Sequence, residues 1–410
     1  MQIKDFKDQK ITIMGLGLHG GGVGSARFFA QAGAKILVTD LKKEQELKGS
    51  VLKLKEFKNI EYVLGQHRME DFKNTDLIIK NPAVPNNSRY LEVARENKVL
   101  VDTDVGIFFE LCPAQIIGIT GSKGKSTTAS LCADVLKKKY ASVILAGNIR
   151  VSVLDVLPEI KESSLVILEL SSWQLEGLRD HKKSPHIAVI TNVYKEHLDR
   201  YKNFEEYVEA KKIIFKFQNK NDFLIINKKL RNLAKNTESE LKLFDGTSQE
   251  AARIIGEIYE ISEKDIEKAT KGFRGLEGRL EFVKEINRVK YYNDTCATHP
   301  EAVIYGLNKL DNVILIAGGT DKNLDFTKLN RALNQKIKAL ILLPGTASAK
   351  IRTRRKTIKV ENMEQAVLEA KKIAKPDDIV LLSPGCASFG LFKHEFDRGE
   401  KFKKYVQTET

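Results

Sequence analysis

Residues 116–128 constrain this 410-residue chain more than any other stretch. An apolar run, Ile116-Ile117-Gly118-Ile119, enters Thr120-Gly121-Ser122-Lys123-Gly124-Lys125-Ser126-Thr127-Thr128, and residues 129–136 then read as a helix. A strand, a glycine turn and a helix start make an anion site, because backbone N–H groups point into the turn and the helix dipole adds positive charge. Lys125 can reach the terminal phosphates of a nucleotide and the Ser126 hydroxyl can hold Mg²⁺. The spacing departs from Gly-x4-Gly-Lys-Ser, since Ile119 stands where the first glycine is expected and Gly118 lies one residue upstream. Lys-Ser-Thr at the helix start argues for a ligand over a plain glycine turn.

The rest of the chain alternates in the same way. Residues 11–14 read as a strand, 15–24 as a glycine turn, 25–31 as a helix, and 35–39 as a second strand ending at Asp40. Gly15-x-Gly17-x-x-Gly20, with an acid about twenty-five residues after the first glycine, has the spacing of a Rossmann-type nucleotide site, a weak signal by itself. Further strands are expected at 62–64, 77–79 and 99–101, and Asn81 begins a Pro-containing strand end of the kind where doubly wound sheets collect ligands. Apolar runs at 143–145, 165–170, 187–190 and 222–226, and later at 289–292, 313–317, 339–343 and 379–382, predict buried parallel strands. The expected fold is α/β with mainly parallel sheets in three domains: a Rossmann-like one at 1–111, a phosphate-loop ATPase-like one at 112–273, and a second Rossmann-like one at 274–410.

Composition narrows the function classes. The chain is 42% hydrophobic and 30% charged, as ordinary globular proteins are. Sixty-eight Lys and Arg against 54 Asp and Glu give a net charge of +14. The lysines are dispersed with no basic stripe interleaved with aromatics, so a small polyanion suits the charge as well as nucleic acid, and no nucleic-acid partner is expected. Cys112, Cys132, Cys296 and Cys386 have no paired short spacing, which argues against a zinc knuckle or disulfide framework and makes a reducing cytoplasm the default. No run of 18 apolar residues occurs, so no membrane insertion is expected.

Glu169 closes the apolar strand 165–169, where a carboxylate beside a phosphate loop can ligate Mg²⁺. His197 follows the next strand in company with Asn192 and Asp199; a single histidine is more often structural than a metal ligand. Lys211 lies on an amphipathic helix over 204–217 and, taken alone, reads as a surface lysine.

Taken in order, these motifs resemble the Mur ligases, the ATP-dependent amino-acid ligases that build the cell-wall peptide. The resemblance rests on the phosphate loop, Gly147-Asn148-Ile149, Glu169-Leu170-Ser171-Ser172, Asn192 with His197-Leu198-Asp199-Arg200-Tyr201, and Ala210-Lys211. It continues through Gly278-Arg279, Asn293-Asp294-Thr295, Gly318-Gly319 and Ser383-Pro384, essentially the whole chain. The last set is most similar to the branch that adds D-glutamate to UDP-N-acetylmuramoyl-L-alanine. The resemblance implies that Gly121, Ser122, Lys123, Gly124, Lys125, Ser126, Thr127 and Asn148 hold ATP. It further implies that Ser126, Glu169 and His197 hold two Mg²⁺ ions, and that Lys211 is carbamylated and joins them. Lys125, Glu169, His197 and Lys211 would form the catalytic set. Arg279 and Asp294 would lie on the ATP side, while Lys322, Ser388 and Phe389 would meet the incoming glutamate. Leu18, His19, Asp40, Lys42 and Asn81 would hold the UDP-linked substrate, and the protein would be a monomer.

Ser122-Lys123 replaces the Thr-Asn usual in that family's loop, and Cys296 stands where a lysine is common. An L-glutamate-adding ligase stays open as an alternative, because stereochemistry depends on pocket shape. A branch adding lysine or diaminopimelate lacks support, since no Asp-Asn-Pro-Arg-type motif occurs late in the chain. Folylpolyglutamate synthetases share the loop and lack the first domain. A regulator without catalysis would have lost part of the four-residue set.

Overall fold

Short apolar runs alternate with amphipathic stretches along the whole chain, and this alternation builds parallel sheets with helical crossovers. The structure, a computed structural model, describes residues 2–18, 20–149, 151–194, 200–273, 275–321, 324–388 and 390–408. Two compact units emerge, residues 1–273 and 274–410, the first holding two sheets and the second one.

In the first sheet, β1 (Lys10–Met14), α1 (Gly21–Gln31), β2 (Lys35–Asp40), α2 (Glu44–Leu52) and β3 (Ile60–Leu64) form one wing. The other wing is β4 (Leu77–Lys80), α3 (Arg89–Glu96), β5 (Leu100–Asp102) and α4 (Asp104–Leu111). All five strands are parallel in the order β3-β2-β1-β4-β5. The chain reverses direction across the sheet between β1 and β4, which opens a crevice at their carboxyl ends. One expectation is corrected here: α1 begins at Gly21, so residues 21–24 are helical and the glycine turn ends at Gly20, with φ of +95°. The reason is close packing, since a Cβ on Gly22 would lie 2.5 Å from the Gly15 and Leu16 carbonyl oxygens.

The second sheet uses β6 (Gln115–Thr120), α5 (Lys125–Leu136), β7 (Val143–Gly147), α6 (Val153–Val156), β8 (Leu165–Glu169), α7 (Ser172–Glu176) and β9 (Ile187–Ile190). After these come α8 (Phe204–Lys216), β10 (Phe223–Asn227), β11 (Glu240–Phe244), α9 (Ser248–Ile258) and α10 (Glu263–Gly272). Its order is β11-β10-β9-β6-β8-β7, again all parallel, with Ile119 of β6 opposite Glu169 of β8 and Thr120 opposite Ile190 of β9. That register places the ends of β8 and β9 on either side of the phosphate loop. The central strands are buried on both faces, as their unbroken apolar sequences require.

The second unit contains β12 (Glu281–Ile286), β13 (Val289–Asn293), α11 (Pro300–Leu307), β14 (Val313–Ala317), α12 (Thr327–Lys336) and β15 (Ile337–Leu342). It ends with β16 (Lys356–Lys359), α13 (Met363–Ile373), β17 (Ile379–Leu382) and α14 (Glu395–Gln407). The order is β12-β13-β17-β14-β15-β16. Here β12 pairs antiparallel with β13, an edge strand of alternating exposure not anticipated from the sequence. Among the described residues no helix is long and apolar enough to cross a membrane.

Candidate active site at the phosphate loop

The loop between β6 and α5 is held by the strand on its flank. Thr191 Oγ1 and Asn192 Nδ2 donate to the Lys123 carbonyl at 2.7 and 2.9 Å, while the Lys123 N–H donates to Asn192 Oδ1 at 2.8 Å. Gly121 must be glycine: its φ is +149°, and a Cβ would lie 2.0 Å from Thr191 Oγ1. Gly124, at φ +83°, turns the chain into α5, so Lys125 and Ser126 open the helix. Ser122 Oγ accepts from the Tyr194 N–H at 2.9 Å and lies 3.0 Å from the Tyr207 hydroxyl. This answers for the serine.

Two amines converge on one carbonyl. Lys125 Nζ donates to the Gly121 and Ser122 carbonyls at 2.9 Å each, and Lys211 Nζ donates to Gly121 at 3.0 Å. Lys211 is only 2% exposed, so the surface reading of its helix position fails, and its Nζ lies 4.8 Å over the Tyr207 ring. One helical turn separates Tyr207 from Lys211, the spacing that brings side chains into contact along a helix.

Glu169 faces the loop from β8. Asn148 Nδ2 donates to its Oε1 at 2.9 Å, and the Asn148 N–H donates to its backbone carbonyl at 2.8 Å. Its Oε2 is buried and, among the described residues, has no hydrogen-bond partner. A buried carboxylate oxygen without a donor is costly unless something else meets it. A hard cation is such a partner, and the hydroxyl of buried Ser126 is a second oxygen of the right kind. Among the described residues no group of three or more His, Cys, Asp or Glu could hold a metal. Mg²⁺ commonly keeps several waters and takes phosphate oxygens, so a carboxylate and a hydroxyl are protein ligands of the right kind.

In the first sheet, Asp40 acts on the glycine turn itself, its Oδ2 accepting from Gly17 N–H at 3.0 Å and its Oδ1 from Lys42 N–H at 2.9 Å. Asn81 Nδ2 donates to the Gly15 carbonyl at 3.3 Å across the crevice, and Leu18 and Lys42 are exposed. In the second unit, Asp294 accepts from Ser383 Oγ at 2.7 Å and from Leu280 N–H at 3.1 Å. Burial pushes its pKa up to about 6, partly opposed by the Ser383 and Leu280 bonds and by the charge of exposed Arg279. Ser388 is buried in the loop after β17. His19, His197, Lys322 and Phe389 lie outside the described residues. Thr191 and Tyr207 were not singled out from the sequence; the spacing of Tyr207 from Lys211 was the available signal.

Three family profiles match the chain in order. They are described as Mur ligase MurD-like N-terminal domain over residues 9–102, Mur ligase middle domain over 119–282, and Mur ligase glutamate ligase domain over 278–386. A UDP-N-acetylmuramoylalanine–D-glutamate ligase from Roseiflexus is 37% identical, the match covering 98% of this chain and 99% of that one. One of the same name from Borreliella afzelii is 38% identical over 99% of each. Among solved structures, the UDP-N-acetylmuramate-alanine ligase MurC of Thermotoga maritima superposes with a TM-score of 0.60 at 16% identity, covering 97% of this chain and 99% of that one. The ADP complex of MurF from the same organism gives 0.56 at 14% identity, covering 99% and 96%.

Proposed function

The chain belongs to the Mur ligases, and on that footing we propose that it joins D-glutamate to UDP-N-acetylmuramoyl-L-alanine with ATP in peptidoglycan precursor synthesis. The full-length identity to ligases of that name supports this substrate pair. The observation that carries the chemistry is the convergence of Lys125 and Lys211 on Gly121, beside the unbonded Oε2 of Glu169.

A carboxylate resists attack by an amine. Transfer of the γ-phosphoryl group of ATP to it gives an acyl phosphate with a good leaving group; the glutamate amine then attacks and phosphate departs. The barrier lies in crowded negative charge, and positioned cations lower it. Gly121, Ser122, Lys123, Gly124 and Thr127 present the loop to the phosphates, and Lys125 supplies the ammonium. Glu169 and Ser126, with His197 from outside the described residues, would hold Mg²⁺, two ions in our reading, which offset phosphate charge when bound. Asn148 orients Glu169 through Oε1 and so leaves Oε2 for the metal. Carbamylation of Lys211 would replace its ammonium by an anion beside the same loop, a change that supplies metal-binding oxygens.

We assign residues 1–111 to the UDP-linked substrate, with Leu18, His19, Asp40, Lys42 and Asn81 at the crevice. Residues 112–273 take ATP. Within 274–410, Arg279 and Asp294 are assigned to the nucleotide, and Lys322, Ser388 and Phe389 to the amino acid. The test is phosphate release from ATP with Mg²⁺ and UDP-N-acetylmuramoyl-L-alanine, in the presence of D-glutamate, L-glutamate, L-lysine or diaminopimelate in turn. Stimulation by D-glutamate alone is expected. Equal stimulation by L-glutamate, or none by any, overturns the proposal.

A further inference from the structure

Arg398 is a fully buried side chain, 0% exposed, on α14. Its Nε donates to Thr295 Oγ1 at 3.0 Å, its Nη2 to the Thr295 carbonyl at 2.8 Å, and its Nη1 to the Cys386 carbonyl at 3.3 Å. Thr295 Oγ1 in turn donates to the Glu395 carbonyl at the start of the same helix, at 2.7 Å. Among the described residues no carboxylate pairs with the guanidinium, and burial lowers its pKa to about 10. Next to it, Gly399 lets α14 approach closely, since a Cβ there would lie 2.8 Å from Thr295 Cγ2 and 2.9 Å from Asn293 Nδ2.

An unpaired buried cation is an expensive way to fill space, and an apolar side chain of similar volume commonly does it as well. What the guanidinium offers instead is a rigid fork of five donors that can tie separate backbone segments at once. The segments it ties are the loops that leave β13 and β17, adjacent parallel strands paired at Asn293 and Leu382. Two more bonds join the same loops, Ser383 Oγ to Asp294 Oδ2 and Gly385 N–H to the Ala297 carbonyl at 2.8 Å. Carboxyl ends of parallel strands are where α/β sheets place their ligands.

We propose that Arg398 is a positioning residue for amino-acid selection: by clamping the loops after β13 and β17 together, it fixes Ser388 for the incoming dicarboxylic amino acid. The inference rests on the assignment of Ser388 to that substrate.

Three variants test it. Arg398→Met removes the charge and the donors while keeping length, Arg398→Lys keeps the charge without the fork, and Thr295→Val removes the shared hydroxyl at constant shape. Each should raise KM for D-glutamate by about tenfold or more, while KM for the UDP-linked substrate, read by the first unit, stays within about twofold. Arg398→Lys should fall between wild type and Arg398→Met. A purely structural role would instead lower kcat and thermal stability with KM for D-glutamate unchanged, and that result overturns the proposal. Should Arg398→Met fail to fold, Thr295→Val decides by the same criterion. Wild-type protein without D-glutamate stimulation would refute the substrate assignment, whereas active wild type with unaltered KM in the variants would refute only the clamp.

Discussion

The two sheets of the first unit meet at a histidine, and removing it gives a prediction with a worked size. His181 Nε2 lies 2.9 Å from Asp102 Oδ1, and its Nδ1 lies 3.0 Å from Glu110 Oε1. Asp102 ends β5 and Glu110 belongs to α4, so the imidazole joins the first sheet's elements to the segment leading into β9 of the second. Lys183 adds a 3.0 Å ion pair to Glu110. The Asp102 hydrogen bond is the largest influence on the ring, burial opposes it, and Glu110 adds to it, so the pKa rises from 6.5 to about 9. A rise of that size corresponds to about 3 kcal/mol favouring the charged ring, and partial exposure of the cluster trims it to about 2. Because the folded-state pKa lies above the unfolded one, this stability is fully present below pH 6.5 and is lost as pH rises through about 9. His181→Ala should therefore lower the melting temperature by about 4–8 °C at about pH 6, at roughly 2–4 °C per kcal/mol. The gap from wild type should close at about pH 9.5. Thermal melts followed by circular dichroism at the two pH values measure it. An equal gap at both, or none at either, would refute the charged bridge.

Lys125→Ala should reduce turnover by about 10³-fold or more, as other deletions of charge-stabilising donors do; near-normal phosphate release would contradict its role at the phosphates. Glu169→Gln should raise the Mg²⁺ concentration needed for half-maximal activity by at least about tenfold, and an unchanged Mg²⁺ titration would remove Glu169 from the metal. Gly121→Ala should weaken nucleotide binding by more than about tenfold, because strain and the Thr191 contact both oppose the loop's shape; calorimetric titration with ATP would show it. Incubation with ¹³C-labelled bicarbonate should give a carbamate signal that disappears in Lys211→Arg, and a signal retained in that variant would place the modification elsewhere.

The sheets were legible in the sequence because β6, β8, β9, β14 and β17 are unbroken apolar runs, the pattern that burial on both faces demands. The phosphate loop was legible because its chemistry is local: glycine, lysine and serine act within a few residues of each other. Lys211 was legible only through the family motif, since an isolated lysine on an amphipathic helix looks solvated and only the packing of α8 buries it. The start of α1 was misjudged because glycine is a poor helix former, while here packing against the Gly15 and Leu16 carbonyls overrides propensity. Edge strand β12 escaped because antiparallel pairing with β13 depends on a turn at Asn287-Arg288, both at positive φ, that carries no glycine. Arg398 escaped for a similar reason, its main partner Thr295 lying 103 residues away in sequence.

Three glycines stand where the first and second sheets meet, and none has room for a methyl group. A Cβ on Gly24 would lie 2.1 Å from Ser152 Oγ, one on Gly106 2.5 Å from His181 Nε2, and one on Gly177 2.2 Å from Thr103 Oγ1. Arg27 and Asp155 add a 2.6 Å ion pair between α1 and α6. With side chains pressed this closely against glycine backbone, the elements have little room to slide, which restricts the span from the Gly15–Gly20 turn to the phosphate loop. On the proposed assignment of the UDP-linked substrate to the first sheet, the joint would serve as a ruler: a substrate anchored at one end would reach the phosphates only if its stem had the matching length. An acceptor extended by one residue should bind as well as the native one and yet release no phosphate.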